Sequence, residues 1–422
     1  MPNASSNPAS PHAQPYAPPP HARPASQIEP KPAPALRVAL AHDWLIGLRG
    51  GEHVLDAIAR TLHDHPALTP APLLTLFDAR PGLTPAIDAL ETHASPLNRL
   101  PHRSRRWLLP AYPAGVHALT RRLARLHDSE PIDLLLSSSS VAAKAIAPPP
   151  GVPHLCYCHT PARYLWDQHE HYARHPASAL GLALFAPALR RWDARTAAGI
   201  TTVLANSAFT ARRIERVWHR TPDVLHPPVD TDFFHPDPET PRADAWLSVS
   251  ALEPYKRVDL AISAAIASGR RLHVVGTGSQ ERALRAHTRA TARAHHRAGH
   301  ASDLHTLITF HGRVSREELR RLYRSSALLL FPQVEDFGIA AGEAQACGCP
   351  VLSLRDSGAA EIIEDGLTGI LIDHATTDAI ARAARDRPTF DPDACRARAM
   401  RFSHRRFRER LTQHILQTAR PA

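Results

Sequence analysis

The sequence predicts an α/β chain of two doubly wound parallel sheets, and three observations predict it. The chain has 422 residues, more than one ordinary core organises and enough for two domains of about 150 to 200 residues each. Short apolar stretches of strand length alternate with stretches of helical length, the pattern of parallel βαβ units. That alternation runs twice, once on each side of a proline-rich stretch near the middle of the chain.

In order along the chain, residues 1–35 carry 11 of the 40 prolines, among Ala, Ser, His and Asn, and have no apolar periodicity to bury. They read as a disordered tail that joins no core and lack the apolar stretch of a secretory leader. The first domain is read as 36–226. Its opening strand, 38–41, runs into His42, Asp43 and Trp44, and the pair Gly50 and Gly51 opens a helix that reaches residue 60. Further strands are expected at 73–77, 132–136, 154–158 and 201–205. Residues 227–244, rich in proline, read as an extended linker, and the second domain, 245–401, repeats the pattern with strands at 246–250, 272–275, 307–311, 327–331 and 350–354. An arginine-rich amphipathic helix closes the chain within 402–422. In such sheets ligands bind beyond the carboxyl ends of the strands, and the cleft between two such domains is the default site.

Composition narrows the function classes. The formal charge is +10, yet only Lys31, Lys144 and Lys256 among the 50 basic residues are lysines. A lysine kept where nearly every other basic position is arginine points to a need for a compact ammonium. No basic run is long enough to choose among nucleic acid, anionic lipid and phosphorylated substrates. The five cysteines lie at 156, 158, 347, 349 and 395; zinc sites usually space their ligands by two or more residues, so buried thiols in a reducing cytoplasm are expected. No apolar run approaches the roughly 20 residues that span a bilayer. Between Arg99 and Arg125, basic and apolar residues interleave, Arg103, Arg105, Arg106, Trp107 and Tyr112 among them; this suits either an anionic membrane surface or a solvated amphipathic helix.

The chemistry concentrates after the strand ending at Phe331, where Glu335, Asp336, Phe337, Gly338 and Ile339 lead into a helix containing Glu343. A helix terminus there offers free N–H groups to an anion. Eight residues of mostly helical rise separate the two glutamates by about 12 Å, too far to flank one bond as glycosidase carboxylates do at about 5 to 10 Å. The spacing suits the two ends of one nucleotide sugar, with one carboxylate for sugar hydroxyls and one for a ribose diol. Two surface glutamates on a solvated helix would show the same spacing.

The segment from Glu335 through Glu343 to Ala344-Gln345-Ala346-Cys347-Gly348-Cys349-Pro350-Val351 resembles the donor-site pattern of glycosyltransferase family four, roughly E-x-F-G-x-x-x-x-E-A-x-A-x-G-x-P-V. The resemblance extends from Arg37 to about Leu416: 203–215 resembles the family's NS-x-F-T segment, 226–234 its interdomain linker, Ser357, Gly358 and Glu361 its loop near the sugar, and Phe402, Ser403 and Phe407 its terminal helix, which crosses back to the N-terminal domain. It implies the GT-B fold, two Rossmann-like domains facing each other across a cleft. It also implies retaining, metal-independent hexosyl transfer from a nucleoside-diphosphate sugar, which is a substrate and not a cofactor. The likeness is to bacterial enzymes of surface polysaccharide assembly, many using GDP-mannose, with a glycan or polyprenyl-linked acceptor, no nucleic acid, and a cytoplasmic setting at the inner face of the plasma membrane.

Residue by residue, the resemblance gives Glu335, Lys256 and His159 catalytic roles. Lys256 matches the family's diphosphate lysine; the usual arginine position beside it is Ala251, a departure for which Arg257 would compensate. His159 resembles the histidine that faces the donor sugar. Gly50 and Gly51 would let backbone approach the phosphates, Arg163 and Asp167 would shape the acceptor side, and Gly276, Phe337, Gly338, Ile339 and Glu343 complete the binding set. The Asp-x-Asp pairs at Asp230 and Asp232 and at Asp391 and Asp393 read as structural, with no metal. A two-Rossmann epimerase, an inverting transferase and a non-catalytic sugar-nucleotide binding protein are the competing readings.

Overall fold

The computed structural model describes residues 34–80, 82–101, 105, 108–166, 176–297 and 304–420, with backbone alone for 176–183 and 304–305. The tail before residue 34, Asp167, and Arg103, Arg106 and Trp107 lie outside the described residues.

Residues 35–422 form one unit holding two all-parallel sheets. The first contains β1 (Leu36–Leu45), β2 (Leu68–Asp78), β3 (Thr92–Ala94), β4 (Leu134–Ser139), β5 (His154–Cys158), β6 (Thr202–Ala205) and β7 (Asp223–Val224), in the order β3-β2-β1-β4-β5-β6-β7. The second contains β8 (Ala243–Val249), β9 (Arg271–Val275), β10 (Ile308–Gly312), β11 (Ser326–Phe331), β12 (Val351–Leu354) and β13 (Gly369–Ile372), in the order β10-β9-β8-β11-β12-β13. Strand β8 starts at Ala243, inside the stretch read as linker. In both sheets the strand order reverses at the first strand, so the switch points, where such folds bind ligands, lie between β1 and β4 and between β8 and β11.

The helices beside the first sheet are α1 (Gly50–Asp64), α2 (Pro85–Asp88), α3 (Tyr112–Ser129), α4 (Pro176–Ala198) and α5 (Ala208–Trp218). Those of the second half are α6 (Val258–Ala267), α7 (Glu281–Arg297), α8 (Arg316–Ser325), α9 (Ile339–Ala346), α10 (Thr377–Arg385), α11 (Pro392–Ala399) and the closing α12 (His404–Ala419).

The period of two along β1 sorts its side chains between two cores. Val38 and Leu40 pack with Val54, Leu55 and Ile58 of α1, whereas Ala39 and Ala41 pack with Val116, Leu119 and Leu123 of α3. Helix α12 adds Phe407, Leu411 and Ile415 to the first of these cores, which fixes the end of the chain against the N-terminal sheet. The apolar stripe of α3 is buried in its own core, and Arg121 and Arg125 lie on the outer face. A membrane would therefore meet charge along α3 and not its apolar face. Among the described residues no helix is long and apolar enough to cross a membrane.

Candidate functional site

At the N-terminal switch point, β1 delivers His42 and Asp43 to the mouth of the sheet. The buried Asp43 carboxylate accepts the backbone N–H groups of Ser140, Val141, Ala142 and Ala143 at 2.6 to 3.0 Å and the Ser139 hydroxyl at 3.1 Å. One carboxylate thus fixes the whole turn after β4. That turn carries Ser138, whose hydroxyl lies 2.8 Å from His159 Nε2, while His42 Nδ1 lies 2.9 Å from the Ser138 carbonyl. Burial, with the charge of His42 adding to it, holds the His159 imidazole down to about 3, so it is neutral at pH 7. Gly51 keeps the space beside both rings open: a Cβ there would sit 3.7 Å from His42 and 3.8 Å from His159.

The C-terminal switch point is built from the loops after β8, β9 and β11. Gly276, at φ 130°, lies so close to the first of these that a Cβ would fall 1.9 Å from the Ser250 carbonyl oxygen; only glycine fits. Leu252 is then pinned by its N–H to the Thr277 carbonyl at 3.0 Å. This holds the segment that carries Lys256, whose ammonium pairs with Glu335. Glu335 also lies 3.6 Å from Arg163 of the N-terminal half. Burial opposes ionisation of Glu335, but Lys256 and Arg163 outweigh it and hold the carboxyl below its usual range. At Gly338, with φ 93°, the loop turns into α9, which has no side-chain cap. Its N-terminus faces that of α1, because a Cβ on Gly50 would lie 3.8 Å from Ile339. The uncapped α9 N-terminus thus follows closely on the loop where Lys256 and Arg163 meet Glu335, and a helix terminus with cations beside it suits an anion.

The structure brings His159, Gly50, Gly51, Lys256, Glu335, Arg163, Gly338 and Ile339 to facing sides of this cleft, and it alters several readings. Arg163, expected to shape the acceptor side, pairs with Asp336 and lies beside Glu335. Arg257, expected to replace the charge absent at Ala251, is exposed just before α6 and reaches Asp259 in the first turn of that helix at 3.4 Å. Gly276 explains itself by packing against Ser250. Phe337 is buried, its ring 5.5 Å from His226 and 5.3 Å from Phe402, so it supports the loop from behind. Glu343 accepts the Tyr323 hydroxyl at 3.1 Å, and burial pushes its carboxyl up to about 7. Glu361, read as part of a loop near the sugar, instead accepts Ala208 N–H at 3.0 Å and Phe209 N–H at 2.9 Å at the start of α5.

Two residues of consequence escaped the sequence reading. Asp336 is clamped by Arg163 and by Arg213, the latter at 2.5 Å, and Arg213 also donates to Thr160 at 2.9 Å. Asp336 occupies the variable position of the motif, and Arg213 lies 123 residues away, so no local spacing joins them.

Asp391 caps α11 by accepting the Asp393 N–H at 2.9 Å, and Asp230 pairs with Arg316 at 2.5 Å. All five cysteines are free and buried, and burial pushes Cys156 up to about 11 and Cys347 up to about 12, which makes them poor nucleophiles. Among the described residues no group of three or more His, Cys, Asp or Glu is placed to hold a metal ion.

Comparison with known proteins supplies two family models: Glycosyltransferase Family 4 over residues 52–233 and Glycosyl transferases group 1 over residues 232–387. A D-inositol 3-phosphate glycosyltransferase of Mycobacterium sp. (strain JLS) is 30% identical over 184 residues, 40% of this chain and 41% of that protein. The match thus spans about two fifths of that relative's length. The Frankia alni protein of the same name is 28% identical over 315 residues, 69% of this chain and 73% of its own. Among solved structures, Anabaena HepE in complex with UDP-glucose superposes with a TM-score of 0.64 at 17% identity, covering 90% of this chain and 99% of that one. The lipopolysaccharide outer core galactosyltransferase WaaB, in its apo form, superposes with a TM-score of 0.63 at 15% identity, covering 90% and 99%. These two likenesses show a shared fold.

Proposed function

The chain belongs to the group 1 glycosyltransferases of family four, and from that premise we propose that it moves a hexosyl group, with retention and without a metal, from a nucleoside-diphosphate sugar to a glycan or lipid-linked acceptor. The observation that carries this reading is that Lys256 and Arg163 meet at Glu335, just before the uncapped N-terminus of α9, with Gly50 of α1 across from Ile339. A leaving diphosphate needs cations placed on it before the bond breaks. In the reaction the bond from C1 of the sugar to the diphosphate oxygen breaks, the acceptor oxygen bonds to C1 on the same face, and the hydroxyl proton passes to the departing phosphate oxygen. Lys256 transfers its contact from Glu335 to the diphosphate, which frees Glu335 to accept sugar hydroxyls. Neutral His159 offers a hydrogen bond from the opposite wall without competing for charge. Glu343 is assigned to the ribose. No separate cofactor is proposed, and mannose carried on GDP is the donor we would test first.

The cationic outer face of α3 suits an anionic membrane surface, consistent with a lipid-linked acceptor at the cytoplasmic face of a membrane. A non-catalytic sugar-nucleotide binding protein is favoured by one observation only: Ala251 supplies no charge, and Arg257 turns to Asp259. Incubation with GDP-mannose, UDP-glucose and UDP-galactose, scored for nucleotide release with and without a polyprenyl-linked acceptor, tests the proposal. Release that disappears in Glu335→Ala supports transfer; donor binding without release by the native chain favours the binding protein.

A further inference from the structure

We propose a second anion site, separate from the cleft, that takes a phosphate-bearing ligand at the joint between the two halves of the molecule. A cavity of about 390 Å³ lies behind the Glu335 loop, and Arg398, Arg401, Arg406 and Arg410 all contribute to its lining, with Phe402 and Phe407 as apolar wall. Two of the four guanidiniums are fixed by backbone carbonyls: Arg398 donates to Glu361 O at 2.8 Å and Ile362 O at 3.1 Å, and Arg410 donates to Val224 O at 2.8 Å. Arg401 and Arg406 are exposed. The one carboxylate in the lining, Glu361, is held by the Ala208 and Phe209 N–H groups and by His226 Nε2 at 2.9 Å, and its single charge leaves the four arginines in excess. Burial chiefly, and the neighbouring Arg401 after it, lower the proton affinity of Arg398, with Glu364 opposing them.

Guanidinium forks match phosphate oxygens in pairs, and this volume falls within the range of small-molecule sites. The walls come from three elements that meet only in the folded molecule: the segment after β7, the loop holding Glu361, and the C-terminal segment with α11 and α12. Behind the wall, His226 and Phe402 touch Phe337 of the Glu335 loop, so a ligand here would lean on the loop from its rear. The shared chemistry is a phosphate or diphosphate group, carried either by a small soluble molecule or by a lipid headgroup.

The test uses Lys256→Gln protein, which removes the ammonium from the cleft as the competing phosphate site, with and without Arg401→Gln and Arg406→Gln together. Inorganic pyrophosphate is titrated by calorimetry, and phosphatidylglycerol vesicles are assayed by flotation. Pyrophosphate binding that persists in Lys256→Gln and weakens by about tenfold or more on removal of the two arginines supports a soluble ligand. Vesicle binding lost in the same way, without pyrophosphate binding, supports the headgroup. Binding of neither probe, or binding indifferent to the two arginines, overturns the site. As a measure independent of the fold of the variants, pyrophosphate or vesicles should slow modification of Arg401 and Arg406 by phenylglyoxal in Lys256→Gln protein; equal rates with and without both probes overturn the proposal as well.

Discussion

The mouths of the two sheets share a topology and differ in where their charges are satisfied. In the N-terminal mouth, Asp43 takes its hydrogen bonds from residues 139–143 of the same half; folding of that half completes it. In the C-terminal mouth, Glu335 and Asp336 draw Arg163 and Arg213 from the other half, and Ser207, which caps α5, donates its hydroxyl to the Asp336 carbonyl at 2.5 Å. The Asp43 scaffold is finished within its own half, and the second mouth is completed only when the halves close on each other. Substitution of Asp43 should therefore be read in stability, and substitutions in the second mouth in function.

The largest effect is expected where the comparison meets the chemistry. Glu335→Ala and Lys256→Ala should each lower kcat/KM by about 10² to 10³, or about 3 to 4 kcal/mol of transition-state stabilisation, with the urea midpoint nearly unchanged. Near-native turnover in either variant would remove the proposed site. Next comes the scaffold: Asp43→Ala leaves a row of buried N–H groups without their acceptor and should cost about 3 kcal/mol of unfolding free energy, measured by urea denaturation. A loss below about 0.5 kcal/mol would erase the contrast between the two mouths. A smaller effect is expected from the contact that joins the halves. Arg213→Gln should raise donor KM about tenfold, equivalent to about 1.4 kcal/mol, while small-angle scattering reports a more open molecule; unchanged KM and dimensions would show that Asp336 is not what closes the cleft.

Much of this was legible in the residues, for reasons that differ by element. The central strands read clearly because strands buried on both faces are continuous apolar runs. Strands β3, β7 and β13 went unread, and all three lie at a sheet edge; β3 and β7 are short and carry polar residues, Thr92, His93 and Asp223. The rarity of lysine drew attention to Lys256, and the structure shows that the same argument applies to a purely structural neighbour. Lys144 is buried, donates to the Asp193 carbonyl at 2.7 Å, lies 3.2 Å from its carboxylate and sits over the Trp218 ring. A compact ammonium was needed in both places, so rarity pointed to burial beside a carboxylate and not to chemistry as such. The clamp on Asp336 was illegible because it is a relation between residues far apart in sequence, which only the fold creates.

The smallest expected effect concerns Glu343, which accepts the Tyr323 hydroxyl within its own half. Burial pushes its carboxyl up to about 7, above the ordinary carboxylate range. A raised carboxyl is protonated below that pH and ionised above it, and only the ionised form accepts two hydrogen bonds from a ribose diol without first giving up a proton. Donor affinity should therefore rise as pH increases through about 7, by severalfold and by no more than about tenfold, since a charged acceptor adds on the order of 1 kcal/mol over a neutral one. In Glu343→Gln the titration should vanish while turnover at saturating donor stays close to native. A Kd that is flat from pH 6 to pH 8 (about one unit either side of the midpoint) in the native chain would take the ribose away from Glu343. The residue would then be a partner of Tyr323, and donor recognition would rest on the loop that depends on both halves and on the wall facing it.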